Sequence, residues 1–200
     1  KRFNMNRMIY QVAVGKQSNL YEHCIKSVAN YCKKYNIKPM TTIFSYSNID
    51  LVENLAEFND WDFDRIADDQ IAMAVEGQWR TYSITLAWSS FDETLRMICT
   101  FDMEPPEDQF LRIYELLNLV NDQCWAGSFT YWKDQGLMVY RYGIVLTGGQ
   151  TASAEQIDTL ISKAVSASER YYPALQLVAY GKNSPKDALK VAIAEAYGRA

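Results

Sequence analysis

His23 is the only histidine in the chain, so a Ser-His-Asp or Cys-His mechanism would have to run through it. Its neighbour Cys24 is the nearest nucleophile, but consecutive residues of a helix point about 100° apart. The two cannot form a dyad, and His23 reads as a structural or solvent-facing histidine. Cys24, Cys32, Cys99 and Cys124 show no C-x-x-C spacing. Cys99 lies in the strand-like run LRMICTF and Cys124 ends a helical pattern, so both read as buried thiols, not as disulfide partners. Asp60, Asp62 and Asp64 resemble the first ligands of a calcium loop. Arg65 then stands where the turn glycine belongs, and Ile71 where the closing glutamate belongs. These carboxylates read as a solvated strand edge. Gly148-Gly149 precedes a helix start, where free amides could hold an anion with help from Arg141. No phosphate-loop lysine and no G-x-G-x-x-G accompany them, and the plainer reading is a flexible connection. No catalytic residue, cofactor or metal is expected, and the chain reads as a non-enzyme.

Elements that could position these groups follow from periodicity. Residues 17–36 place Leu20, Cys24, Ile25, Val28, Tyr31 and Cys32 at helical spacing. TTIFSY (41–46) is β-prone. A second helix over 48–59 starts at Ser47 or Asn48, with Leu51, Val52, Leu55 and Phe58 on one face. The period then becomes two. FDRIADDQIAMAVEG reads as two short strands around an Asp68-Asp69 turn. In 79–88, Tyr82, Ile84, Leu86 and Trp88 share a face; in 93–101, Leu95, Met97, Cys99 and Phe101 do. A helix follows over 107–124, with Phe110, Ile113, Tyr114, Leu117, Val120 and Cys124 as its stripe. Its acidic first turn, Glu107 and Asp108, suits the helix dipole. WAGSFTYW (125–132) and LMVYRYGIVL (137–146) form another hairpin. Ser153 with Gln156 is a capping box that opens a long helix, which Pro173 can kink. A last helix starts near Pro185. Strands joined by hairpins, with helices between the blocks, predict an α+β fold with an antiparallel sheet and helices packed on it.

The most conspicuous residues are aromatic: 14 Tyr, 8 Phe and 5 Trp. Most read as core and hairpin staples. Yet the hairpin over 125–146 is apolar on both sides, with Trp125, Phe129 and Tyr131 opposite Thr130 and Trp132. A sheet of that kind needs cover on both faces, from helices or from a partner. Trp79, Trp125, Phe129, Tyr131 and Trp132 are therefore the candidate partner-binding residues. The expected partner is another protein or a second copy of the chain, docked through a strand or a helix.

Composition supplies the exclusions. The chain has 200 residues and a formal net charge of −4, with 48% hydrophobic and 22% charged residues, as in ordinary soluble domains. That mean conceals two parts. Residues 1–40 hold eight basic side chains and one acidic one, a net +7; residues 41–200 hold 12 basic and 23 acidic ones, a net −11. An acidic domain at 41–200 argues against nucleic acid as its partner. The basic head at 1–40 is expected to be an extension, helical over 17–36 and outside the functional unit, since Met40 is a natural start for the domain. No run of about 18 apolar residues predicts a membrane span, and nothing resembles a signal peptide, so a cytoplasmic location is expected.

One combination of segments is specific. IDLVENLAEFNDWDFDRIADDQIAMAVEGQWRTY, ELLNLVNDQCWAGSFTYW, MVYRYGIVLTGG and ERYYPALQLVAYG, in that order, resemble the YbjN family of bacterial proteins over roughly 49–198. The resemblance implies a fold like that of type III secretion chaperones and a small, cytoplasmic, dimeric protein described as a sensory transduction regulator. It carries over no catalytic or ligand-binding residue, and the basic head has no counterpart in it. The expected function is regulatory or chaperone-like binding of another polypeptide. A small-molecule or anion sensor built on Gly148, Gly149 and Arg141 is the alternative. An enzyme using carboxylates or Cys99 is the remote one, for want of a base.

Overall fold

In the computed structural model the chain divides into two compact units, Lys1–Tyr46 and Ser47–Ala200. The described residues are 47–198, with side chains to 194, and Lys34, which is helical. The expected helix at 17–36 and the β-prone run 41–46 otherwise lie outside them, as do His23, Cys24 and Cys32.

The second unit is α+β, as the alternating hairpins predict. Its elements are α1 (Asn48–Phe58), β1 (Asp62–Ala67), β2 (Gln70–Glu76), β3 (Thr81–Ser89), β4 (Thr94–Asp102), α2 (Phe110–Asp122), β5 (Ser128–Trp132), β6 (Leu137–Val145), α3 (Ala154–Ala179) and α4 (Pro185–Gly198). Six strands form one antiparallel sheet in the order β1-β2-β3-β4-β6-β5. The first four are a meander; β6 then pairs with β4, and the β5–β6 hairpin extends the sheet outward. Among the described strands the one crossover is the segment carrying α2, which takes the chain to the far edge.

Period two decides which side chains enter the core. Tyr82, Ile84 and Leu86 on β3 stand opposite Cys99 and Met97 on β4 through the pairs Ile84↔Cys99 and Leu86↔Met97. Met138 and Tyr140 continue this face onto β6, and all of these residues are buried. Helices supply the other wall: Ile49 and Val52 from α1, Ile113 and Leu117 from α2, Ile157, Leu160 and Tyr171 from α3, and Ala188 from α4 join the same cluster. The opposite face of the sheet carries small and polar groups, such as Ala72, Ala74, Ser83, Thr85, Thr100 and Thr130, with exposed Arg96 and Arg141. Val139 is buried on that side too. The second face of the β5–β6 hairpin thus carries Trp132, Leu137, Val139 and exposed Val145 beside Ser128, Thr130 and Arg141, so it stays largely apolar.

Local chemistry fixes the helix ends. Ser47 and Asp50 form a capping box on α1, with the Asp50 N–H donating to Ser47 Oγ and the Ser47 N–H to the Asp50 carboxylate. Such caps contribute about 1 kcal/mol each. Ser153 and Gln156 do the same for α3, as the sequence predicts. Arg65 on β1 bridges Asp50 at 3.0 Å and Glu53 at 2.6 Å, tying α1 to the sheet. Burial works upward on the Asp50 pKa, but the Ser47 and Arg65 hydrogen bonds outweigh it and lower the value. Two helical stripes differ from expectation. Phe58 ends α1 and is exposed, while Ile49, Val52 and Ala56 face inward; Tyr114 on α2 is also exposed, and Leu116 takes a core position. Pro173 lies inside one continuous α3.

Candidate functional site

The site is built where α2 hands over to β5. After Asp122 the chain turns through Cys124, Trp125, Ala126 and Gly127 before β5 begins. Gly127 sits at φ +78, a region that costs any other L-residue strain. A Cβ there would also stand 2.4 Å from Tyr140 of β6, so only glycine permits this approach. The Tyr140 hydroxyl donates to the Ala126 carbonyl and pins the turn to the sheet. Asn121, at the end of α2, completes the clamp. Its amide oxygen accepts from the Phe129 N–H at 2.7 Å, and its amide nitrogen donates to the Phe129 carbonyl at 3.0 Å.

Held this way, the turn presents Trp125 fully to water, at 101% relative exposure. The indole stands at an open cleft of about 550 Å³. Cys124, Ala126 and Tyr140 line one wall. The other is a stripe of α3: Thr159, Ser162, Lys163, Ser166 and Arg170, spaced so that they share a helix face. Asp158 is the single carboxylate in the lining. Arg170 is half-buried, its guanidinium 5.3 Å from the centre of the Tyr171 ring, and its Nε is buried without an acceptor. No carboxylate bridges Arg170 among the described residues. Its neighbour Glu169 instead accepts from the Tyr82 hydroxyl at 2.7 Å and from the Trp79 N–H at 3.2 Å. Burial pushes the Cys124 thiol up, opposed by the positive charge of Arg170, and pushes the Tyr140 phenol up to about 12. Neither is primed as a nucleophile or base at neutral pH. Cys124 is half-buried at this cleft, a more open place than the sequence suggests.

The five residues expected to contact a partner do not share one surface. Phe129 and Tyr131 point into the core, 3% and 9% exposed. Phe129 packs on Tyr140 and Tyr171 at 4.9 Å and 5.9 Å, and the Tyr131 hydroxyl donates to the Met103 carbonyl. Alternation then turns Trp132 outward, and it is partly exposed. Trp125 precedes β5, so strand alternation never reached it. Trp79 lies at the entry to β3, partly exposed and stacked on Tyr172 at 6.2 Å. Phe91, at the tip of the β3–β4 hairpin, is a fully exposed aromatic that the sequence reading passed over.

Both edges of the sheet are partly blocked among the described residues. On β5 the outward amide and carbonyl of Phe129 are taken by Asn121. On β1 a bulge between Arg65 and Ala67 breaks the register, and the Arg65 side chain bonds the carbonyls of Ala67 and Asp68. Bulges and side-chain caps of this kind oppose strand addition. The other sites weighed from sequence also separate. The Gly148 N–H donates to Glu93 Oε2, so a carboxylate of the chain itself occupies that amide, and Arg141 projects from the opposite face of the sheet. Asp62 and Asp64 are exposed on β1. Cys99 is fully buried against Ser168 at 3.6 Å, its thiol pushed up to about 11 by burial.

The chain from 48 to 177 matches the family model of YbjN, described as "Putative bacterial sensory transduction regulator". The chain belongs to the YbjN family. Among solved structures it is similar to the crystal structure of YbjN, "a putative transcription regulator from E. coli". That match has 11% identity and a TM-score of 0.45 over 60% of this chain and 85% of the other. It is also similar to the HopA1–SchA chaperone–effector complex, with 14% identity and a TM-score of 0.41 over 58% of this chain and 85% of the other. None of the curated proteins matches the chain in sequence. Among the described residues no helix is long and apolar enough to cross a membrane. The cleft residues Lys163 and Arg170 escaped the sequence reading because their signal is a polar stripe on an amphipathic helix, and such stripes are usually only solvated.

Proposed function

We propose that this YbjN-family protein is a non-enzymatic regulatory or chaperone-like protein that binds another polypeptide through the corner formed by Trp125. One observation carries the reading. A tryptophan is held fully exposed by a glycine-dependent turn that is clamped at both ends, so the indole is presented by a rigid support. Aromatic anchors of this kind dominate binding energy where they enter a partner's pocket, and a fully buried one contributes about 2–4 kcal/mol. With both sheet edges partly blocked, docking is proposed to go through side chains or a helix in preference to strand addition. Trp132 and Trp79 are proposed as secondary contacts, and residues 41–200 as the functional domain acting in the cytoplasm. The absence of a primed nucleophile at Cys99 or Cys124 favours binding over catalysis. A second copy of the chain is the other occupant the same corner would take.

Site-specific photo-crosslinking tests the reading. A photoreactive residue at Gln123, which lines the same cleft and leaves Trp125 in place, should give a discrete polypeptide adduct in native cells, and one at the exposed Leu111 should not. Equal labelling at both positions, or none at 123, contradicts it. An adduct of twice the chain's own mass assigns the surface to self-association.

A further inference from the structure

Beside the proposed polypeptide contact, with which it shares Trp125, the cleft has the composition of a small-ligand site. Its volume of about 550 Å³ falls in the range of small-molecule pockets, roughly 300–1,000 Å³. Its lining combines apolar and aromatic surface with a few convergent polar groups. Those polar groups are biased toward one ligand charge. Two cations, Arg170 and Lys163, face the cleft without an ion pair among the described residues, and the hydroxyls of Thr159, Ser162 and Ser166 lie on the same helix face. Asp158 is the one opposing charge, and it bridges neither cation. This local excess of positive charge occurs on a domain whose residues 41–200 are strongly acidic overall.

Arg170 is the deciding residue. A guanidinium carries five donors and no acceptor, and it is costly to bury unless those donors are satisfied. Here the Nε is buried with no acceptor, and the described contact of the guanidinium is the Tyr171 ring. The Nε is sealed from the cleft, but the two Nη groups make no hydrogen bond among the described residues and are not buried, and a carboxylate in the cleft accepts two parallel N–H bonds from that end of the fork. Trp125, Ala126 and Ala167 supply apolar surface next to it.

We propose that this cleft binds an organic carboxylate, with the carboxyl group paired to Arg170, Lys163 reinforcing it from the rim, and a flat apolar body packed against Trp125. That chemistry is shared by free aromatic acids and by the C-terminal residue of a peptide. The Gly148-Gly149 region, where sequence reading looked for an anion, has no part in it.

Chemical-shift titration of the 15N-labelled full chain decides between outcomes. The probes are 3-phenylpropionate, its amide, and N-acetyl-Gly-Phe with a free or an amidated C-terminus. At least one free carboxylate should shift the amides of Cys124–Gly127 and of Thr159–Arg170 saturably, with the millimolar affinity expected of a fragment this small. The matching amide should bind at least about tenfold more weakly. Arg170→Gln should lose about tenfold or more, Arg170→Lys should fall between, and Lys163→Gln should lose a smaller factor with a shallower salt dependence. Tighter binding of the peptide acid assigns the source to a chain terminus; equal or tighter binding of phenylpropionate assigns it to a free acid. Acid and amide shifting the same resonances equally would overturn the proposal, as would no saturable shift with any probe. An unaltered affinity in a folded Arg170→Gln protein would do so too. Should that variant fail to fold, the acid–amide comparison on the unmodified chain and the Lys163→Gln titration decide by themselves.

Discussion

Asn121→Ala removes two hydrogen bonds that hold the outer edge of β5, and its cost can be worked out from the structure. The side chain accepts from the Phe129 N–H at 2.7 Å and donates to the Phe129 carbonyl at 3.0 Å, both partly buried. Each intramolecular bond contributes roughly 0.5–1.5 kcal/mol net. Water can replace part of the loss at an edge, so the expected destabilisation is about 2 kcal/mol. For a cooperative unit of this size that lowers Tm by about 4–8 °C. Asn121→Asp is the informative companion. It keeps an acceptor for the Phe129 N–H but sets a carboxylate against the Phe129 carbonyl, so it should cost at least as much as alanine at neutral pH. Urea denaturation followed by circular dichroism reads both. The freed edge should also pair with other chains, so Asn121→Ala should show concentration-dependent association by size-exclusion chromatography. A change below about 0.5 kcal/mol, with elution unaltered, would refute the claim that Asn121 both clamps the turn and closes the strand edge.

Three further outcomes follow from the same geometry. Gly127→Ala forces a non-glycine residue to φ +78 and sets its Cβ 2.4 Å from Tyr140, so it should cost about 2 kcal/mol or more in urea denaturation; a cost under about 0.5 kcal/mol would mean that the turn is soft. Stability should fall at alkaline pH. Burial raises Cys99 to about 11 and Tyr140 to about 12, and raises Tyr82, Tyr131 and Tyr171 as well. These groups stay protonated in the native state after the unfolded chain has lost the same protons, at about 8.5 for cysteine and 10 for tyrosine. The urea midpoint should therefore hold up to about pH 8 and drop as the pH climbs through 9 to 11; a flat profile across that range contradicts it. N-terminal mass analysis of the native protein checks the proposal that the basic head stands outside the functional unit, and recovery of peptides from residues 1–39 counts against it.

Much of the fold was legible because period two is a strong signal where strands are long. Tyr82, Ile84 and Leu86, and again Leu95, Met97, Cys99 and Phe101, share the faces their spacing requires. Ser153 with Gln156 announced the start of α3 for a local reason, since each side chain satisfies the other's backbone amide. The site was legible only in part. Alternation states that Phe129 and Tyr131 share a face, but not that helices cover that face. Tertiary packing decides this, and it sends both rings inward and leaves Trp132 outside. Counting in twos groups Trp125 with them, yet β5 begins only at Ser128, and the residue's exposure comes from the Gly127 turn instead. Arg170 was invisible for a different reason. What marks it is a missing partner, and a sequence does not show which carboxylates fail to reach a guanidinium. Phe58 and Tyr114 sat at apolar helical positions and are exposed, because Ile49, Val52 and Ala56 on α1 and Leu116 on α2 face the core in their place.

The central claim is that Trp125 anchors a polypeptide partner. Calorimetric titration of the polypeptide captured at position 123, against the unmodified chain and Trp125→Ala, tests it most directly. The account predicts that the alanine variant binds at least about 30-fold more weakly, the loss expected for removal of a 2 kcal/mol anchor, with its Tm unchanged within a few degrees. An affinity that stays the same while the protein remains folded would contradict it.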